Sequence, residues 1–230
     1  MRHASVVLLL FMLLTGEFGA RVGAQEAPSA AEISGYSGLH AAAYHGDIVA
    51  LKALLAGQLG LEQRDARQRT ALHLATYARQ HQAIRLLAEA GANLNALEYQ
   101  QYDPVTIAAV ADDEPTLALL ISLGASARNV TSPYRGTALI AAAHLGYDGV
   151  VRRLIAGGAP LDHVNNLHWT ALIEAVVLGD GGRRHTEVVK LLLAAGANRQ
   201  LADREGNTPL MLARARGYRE MVALLEAPPR

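Results

Sequence analysis

The 230 residues carry 21 Lys+Arg against 21 Asp+Glu, so the chain lacks the basic field of a non-specific polyanion binder and nucleic acid is disfavoured as a partner. At 51% hydrophobic and 18% charged it has ample apolar material for a core and too little net charge for disorder. The absence of Cys excludes a disulfide framework, thiolate metal sites, a lipidated thiol and a Cys nucleophile.

The chain opens with Met1-Arg2-His3, an apolar run over residues 6–14, and small residues ending in Val22-Gly23-Ala24. A basic start, a short apolar middle and small residues before a cut after Ala24 predict a secretory signal peptide over residues 1–24. An uncleaved anchor is the competing reading, but the run is too short to span a bilayer, and Glu17 and Arg21 interrupt it. The expected mature chain begins near Gln25, is soluble without membrane insertion, and is periplasmic or secreted, with the periplasm its place in a Gram-negative source. Loss of Arg2, Arg21 and Glu17 leaves 19 basic and 20 acidic side chains, so charge stays uninformative. The cut also removes Phe11 and Phe18, leaving a core that must be almost wholly aliphatic. A linker is expected over residues 25–31.

Helix-start segments then recur in phase: Ser37-Gly38-Leu39-His40, Thr70-Ala71-Leu72-His73, Asp103-Pro104-Val105-Thr106, Thr137-Ala138-Leu139-Ile140, Thr170-Ala171-Leu172-Ile173 and Thr208-Pro209-Leu210-Met211. Their third positions are spaced by 33, 33, 34, 33 and 38 residues. Gly91-Ala92, Gly124-Ala125, Gly158-Ala159 and Gly196-Ala197 repeat in the same phase. Thr or Ser suits an N-cap, Pro104 and Pro209 suit the first helical position, and triplets such as Ala141-Ala142-Ala143 let helices approach closely. Runs such as Val188-Val189-Lys190-Leu191-Leu192-Leu193 give each second helix an apolar face.

This pattern resembles the ankyrin repeat, and the resemblance covers residues 32–227. It implies an all-α solenoid of six helix-turn-helix units with short hairpins, at approximately 32–65, 66–98, 99–131, 132–165, 166–203 and 204–227, followed by a tail over 228–230. Gly46, Gly146, Gly179 and Gly217 are expected to supply positive φ between the paired helices. Arg79 and Asp112 stand where such a Gly belongs, predicting strained turns, and only Gly206 keeps the Gly of the hairpin tip. The first unit has Gln58-Leu59 in place of Gly-Ala, as expected of an end cap. Five extra residues within 180–186 predict a flexible basic loop between the helices of the fifth unit. The wording of residues 165–175 and the Gly-rich insert is similar to exported bacterial members of the family.

No catalytic motif is present, and no cofactor or metal site is assigned. Gly179-Asp180-Gly181-Gly182 with Arg183 and Arg184 could contact an anion, though the stretch also reads as a solvated loop. Asp112-Asp113-Glu114 reads as a solvated turn, and Asn129-Val130-Thr131 is a glycosylation sequon relevant only to a eukaryotic route. His40 and His73 occupy the framework position of the helix start. His45, His144, His163 and His168 could converge on a metal or haem only if the fold brought them together.

In the family, partner contact comes from hairpin positions one, three and four before the motif Thr, and from inner-helix positions five and six after the motif Leu. These rules collect Tyr36, Tyr102 and Trp169, then Tyr134, Tyr99, Tyr44 and Tyr77, leaving only Tyr147 and Tyr218 outside; His45, His144 and His168 fall on the same surface. Large, stiff aromatics suit recognition hot spots, although those before the motif Thr could equally staple hairpins together. The expectation is a non-enzymatic module, monomeric, binding a protein partner of the cell envelope through a concave aromatic groove. Rival readings are an accessory protein holding haem, a metal or a small ligand for an envelope enzyme, and an effector or immunity-type protein.

Overall fold

A computed structural model describes residues 26–57 and 60–228; the predicted signal segment and Gln58-Leu59 lie outside them. Thirteen helices and one two-stranded ladder form among the described residues. They are α1 (Ala30–Gly35), α2 (Gly38–His45), α3 (Ile48–Ala56), α4 (Ala71–Tyr77), α5 (His81–Glu89), α6 (Pro104–Val110), α7 (Glu114–Ser122), β1 (Val130–Thr131), β2 (Gly136–Thr137), α8 (Ala138–Leu145), α9 (Asp148–Ala156), α10 (Ala171–Val177), α11 (Arg183–Ala194), α12 (Pro209–Ala215) and α13 (Arg219–Glu226). From α2 onward they fall into six antiparallel pairs, one per repeat. The inner helices α2, α4, α6, α8, α10 and α12 pack in one row, and the outer helices in a second row behind. Part of the expected linker is helical, because Ser29 and Glu32 form a capping box that starts α1 at Ala30.

The helix starts follow from their side chains. Thr137, Thr170 and Thr208 accept from the N–H groups of Ile140, Ile173 and Met211, and Asp103 does the same for Thr106 at 2.7 Å. Pro104 and Pro209 occupy positions whose N–H would be unpaired in any case. The core is aliphatic as the composition required: Leu51, Leu72, Leu87, Leu117, Leu139, Leu154, Leu172 and Leu192 are buried between the two rows.

Five hairpins share one construction. Asp65, Glu98, Asn165 and Asp203 each accept from the backbone N–H groups two and four residues on, and Ser132 from the fourth. The third residue on is left-handed in each: Gln68 (φ 61), Gln101 (φ 64), Arg135 (φ 53), His168 (φ 65) and Gly206 (φ 81). Adjacent hairpins are joined by backbone bonds of 3.0 Å from Tyr99 to Arg67, Ser132 to Gln101 and Asn166 to Tyr134.

Between paired helices, Gly46, Gly146 and Gly217 are left-handed as expected, and Arg79 (φ 56) and Asp112 (φ 51) carry the strain predicted of them. Two expectations for the fifth unit need correction. Gly179 is not left-handed; it is buried, its backbone lying against the Ala175 carbonyl, and Gly181 (φ 71) makes the turn. The insertion is also not a projecting loop. Residues 183–185 extend the start of α11, which runs 12 residues where α5, α7 and α9 have 9.

Candidate functional site

Between the inner helices of the middle repeats and their hairpins lies a small solvent-open pocket. The hairpins bring Thr131, Ser132, Tyr134, Asn165 and Leu167 to one wall, and the helix row brings Thr106, Ile140, Ala141, His144 and Glu174 to the other, with Tyr102 beside them. This division follows from the repeat itself. Ala141 and Glu174 are equivalent inner-helix residues, two after the motif Leu, and the rise from one unit to the next sets them side by side.

Glu174 and His144 form the polar floor. Glu174 Oε1 accepts from Asn165 Nδ2 at 2.9 Å, and Oε2 lies 3.2 Å from His144 Nδ1. A carboxylate only accepts, so His144 donates from Nδ1. Asn165 is itself fixed, because its Oδ1 accepts from the N–H groups of Leu167 and Trp169. Behind His144, its carbonyl accepts from His185 Nε2 at 2.9 Å, while His185 Nδ1 meets Asp180 at 3.0 Å. The inserted residues therefore buttress the helix that carries His144.

Of the residues expected on the binding surface, the pocket gathers Tyr102, Tyr134 and His144. Tyr102 is 6% exposed, burial pushes its hydroxyl pKa up, and its backbone N–H and carbonyl bond to Glu98 across the hairpin, so part of its role is to hold that hairpin. Trp169 is half-buried against the core, in keeping with a similar staple. A second aromatic group lies on the first repeat: the Tyr36 ring is 6.0 Å from His40 and 6.2 Å from Tyr44, which meets His45 edge-on at 5.4 Å. Tyr36 also donates to Asp65 at 3.0 Å, inside an ionic clasp in which Arg69 pairs with Asp65 and Glu32, and Arg67 with Glu26 and Glu32. Tyr77 is half-buried at the end of α4, and Tyr99 is exposed at a hairpin tip with Arg67 5.9 Å from its ring centre.

The remaining candidates separate. His168 is exposed at a hairpin tip, His163 bonds to the Arg135 carbonyl at 2.7 Å, and His45 stays with Tyr44, so these do not converge with His144. Among the described residues no group of three or more potential metal ligands exists. Asp112-Asp113-Glu114 is not a free acidic turn: Asp113 is buried and caps α7, while Asp112 and Glu114 pair with Arg184 and Arg153. Arg184 also reaches Asp148 and covers the Tyr147 ring at 5.1 Å, whereas Arg183 is exposed. The side-chain amide of Asn129 donates to Asn95 and Asp103, so the sequon residue serves the framework. Glu174 and Asn165 were not singled out from sequence. The signal was present in Ala171-Leu172-Ile173-Glu174-Ala175-Val176-Val177, where one acid interrupts an apolar helix.

The family described as Ankyrin repeats (3 copies) matches residues 3–98 and 105–198, and the single Ankyrin repeat matches residues 205–227. The ankyrin repeat protein YahD of Escherichia coli (strain K12) is 35% identical over 187 residues, spanning 81% of this chain and 92% of its own length. The crystal structure of an ankyrin repeat domain from Acinetobacter baumannii AYE superposes with a TM-score of 0.77 at 45% identity, covering 81% of this chain and 95% of that one. A chain from the structure of a predatory endopeptidase of Bdellovibrio bacteriovorus in complex with an immunity protein aligns with a TM-score of 0.67 over 83% of this chain and 97% of its own, but at 20% identity it shares the fold alone. Among the described residues no helix is long and apolar enough to cross a membrane.

Proposed function

Because the chain belongs to the ankyrin repeat family, whose repeats serve as protein-protein interaction modules, we propose that it is an exported scaffold that docks an envelope protein in the angle between its inner helices and its hairpins. The observation that carries this reading is the pocket formed by Tyr102, Tyr134, His144, Asn165 and Glu174, where side chains from three successive repeats meet at one solvent-open place. Recognition is rigid. The hairpin bonds and the helix stack hold these groups before a partner arrives, so little ordering entropy is lost on binding. Tyr44, Tyr77 and Tyr134 extend the same surface along the row, and none of them is fully buried. Export rests on the three-part leader at residues 1–24 and on its likeness to the leaders of secreted proteins.

The test is affinity capture of the tagged mature protein from cross-linked envelope extract, beside a Tyr44→Ala, Tyr77→Ala, Tyr134→Ala variant with an unchanged helical circular dichroism spectrum. Tyr102 and Trp169 are left intact, because truncating buried rings would confuse binding with stability. A partner held by the wild type and released by the variant supports docking in the groove. Identical captures from the two proteins, or none from either, would overturn it.

A further inference from the structure

Glu174 is 4% exposed, yet among the described residues no Lys or Arg reaches it; it is held by the Asn165 amide and by His144. Buried carboxylates are ordinarily paired with a cation, because desolvating an unpaired charge is costly. Each carboxylate oxygen has two acceptor sites, and one protein bond to each leaves half of that capacity unused. Beyond His144, which pairs with Glu174 when protonated, the lining offers no cation. It contains no Lys or Arg, its one carboxylate is Glu174, and Thr106, Thr131, Ser132, Tyr102 and Tyr134 line the same pocket. A buried carboxylate in a pocket lined by hydroxyls and two tyrosines suits one class of occupant.

We propose that this pocket seats a lysine or arginine side chain projecting from the protein partner, with Glu174 as its counter-ion and Tyr102 and Tyr134 as its aromatic walls. This rests on the reading of the groove as a protein-docking face and specifies the chemistry it selects. Asn165 is a positioning residue: its Oδ1 is fixed by two hairpin N–H groups, and its amide aims Glu174. The insertion supports the same end, since His185 anchors the carbonyl of His144 from behind.

Isotope-labelled protein titrated with Nα-acetyl-lysine methylamide and Nα-acetyl-arginine methylamide tests the assignment, with the norleucine analogue and acetate as controls. Saturable amide shifts at His144, Asn165 and Glu174 are expected with the cationic probes alone. Glu174→Gln should weaken them at least about tenfold, the loss of one charge-assisted contact. Ala141→Leu, which fills the pocket without touching the carboxylate, should abolish them in a protein that keeps its fold. Shifts produced equally by norleucine, shifts produced by acetate, or no shift with any probe would each overturn the proposal. Envelope capture separates the two readings: a partner retained by Glu174→Gln but released by the tyrosine variant leaves the docking face standing and removes the cation seat, whereas a partner retained by both variants leaves neither.

Discussion

His73 shows how a framework residue of this repeat works and what it costs at low pH. The Thr70 N–H donates to Nδ1 at 3.1 Å, so that nitrogen carries no proton, while Nε2 donates to the Ala96 carbonyl at 2.9 Å. The site therefore accepts only neutral imidazole, and burial drives its pKa from 6.5 down to about 4. Between those values the unfolded chain holds more protons than the folded one, so stability falls as the pH drops through the window. The full loss is about 3 kcal/mol. Glu32 adds acid sensitivity of the same sign only lower down: the Ser29 backbone N–H, ahead of Arg69, holds its carboxyl at about 2, so its contribution starts to be lost below its ordinary 4.5. Urea denaturation at about pH 7 and about pH 4.5 should show a drop in the wild type that His73→Asn largely lacks, the variant being weaker at both. An equal drop in the two proteins would show that His73 does not govern this window. The same scale explains what was legible of the pocket. Phase alone located Tyr102, Tyr134 and His144, but it cannot tell which side of a hairpin a residue faces, and so it grouped buried Tyr102 with exposed Tyr99. Glu174 was passed over because its meaning depends on Asn165 and His144, which come from a hairpin and from the preceding repeat.

At the scale of elements, helix starts were legible because each is decided locally, by a Thr or Asp that caps and a Pro that fits the first turn. The insertion was misread because its Gly residues were taken to continue as a loop. Asp180 Oδ1 accepts from Gly182 N–H at 2.8 Å, Gly182 serves as N-cap, and the helix begins at once with Arg183. What settles this arrangement lies in the next repeat. The Tyr218 hydroxyl donates to the Gly179 carbonyl at 2.9 Å, and its ring covers Gly181, where a Cβ would come within 2.4 Å of a ring carbon. Gly181 is also left-handed, with φ 71. Gly181→Ala should thus destabilise by about 1–3 kcal/mol through steric overlap and backbone strain together. Tyr218→Ala removes the overlap but not the strain, so the double variant should be more stable than the sum of the two single losses predicts. Strict additivity in a denaturation cycle would show that the insertion and the last repeat do not pack as described.

For the whole molecule the question is whether the stack is held by its apolar interfaces or by the ion pairs that bridge its outer edge. Arg79 with Asp113, Arg153 with Glu114, and Arg184 with Asp148 link successive repeats, and Arg184 also reaches Asp112 two repeats away, but each arginine is more than half exposed. Exposed pairs contribute about 0–1 kcal/mol each and are screened by salt. Leu139 is fully buried on α8, in the row where each inner helix packs on both neighbours. Leu139→Ala should cost about 2–5 kcal/mol, more than screening of the entire ladder. Position matters as well as magnitude, because a repeat array is a chain of nearest-neighbour couplings. Weakening the fourth of six units divides the array, so Leu139→Ala should broaden or split the denaturation curve, with hydrogen exchange quickening on both sides of α8. Leu39→Ala, in the first unit and 6% exposed, should instead fray one end and leave the main transition sharp. A single sharp transition in both variants, or a loss in 1 M salt that matches the Leu139→Ala loss, would place the cohesion of the solenoid elsewhere than in its aliphatic row.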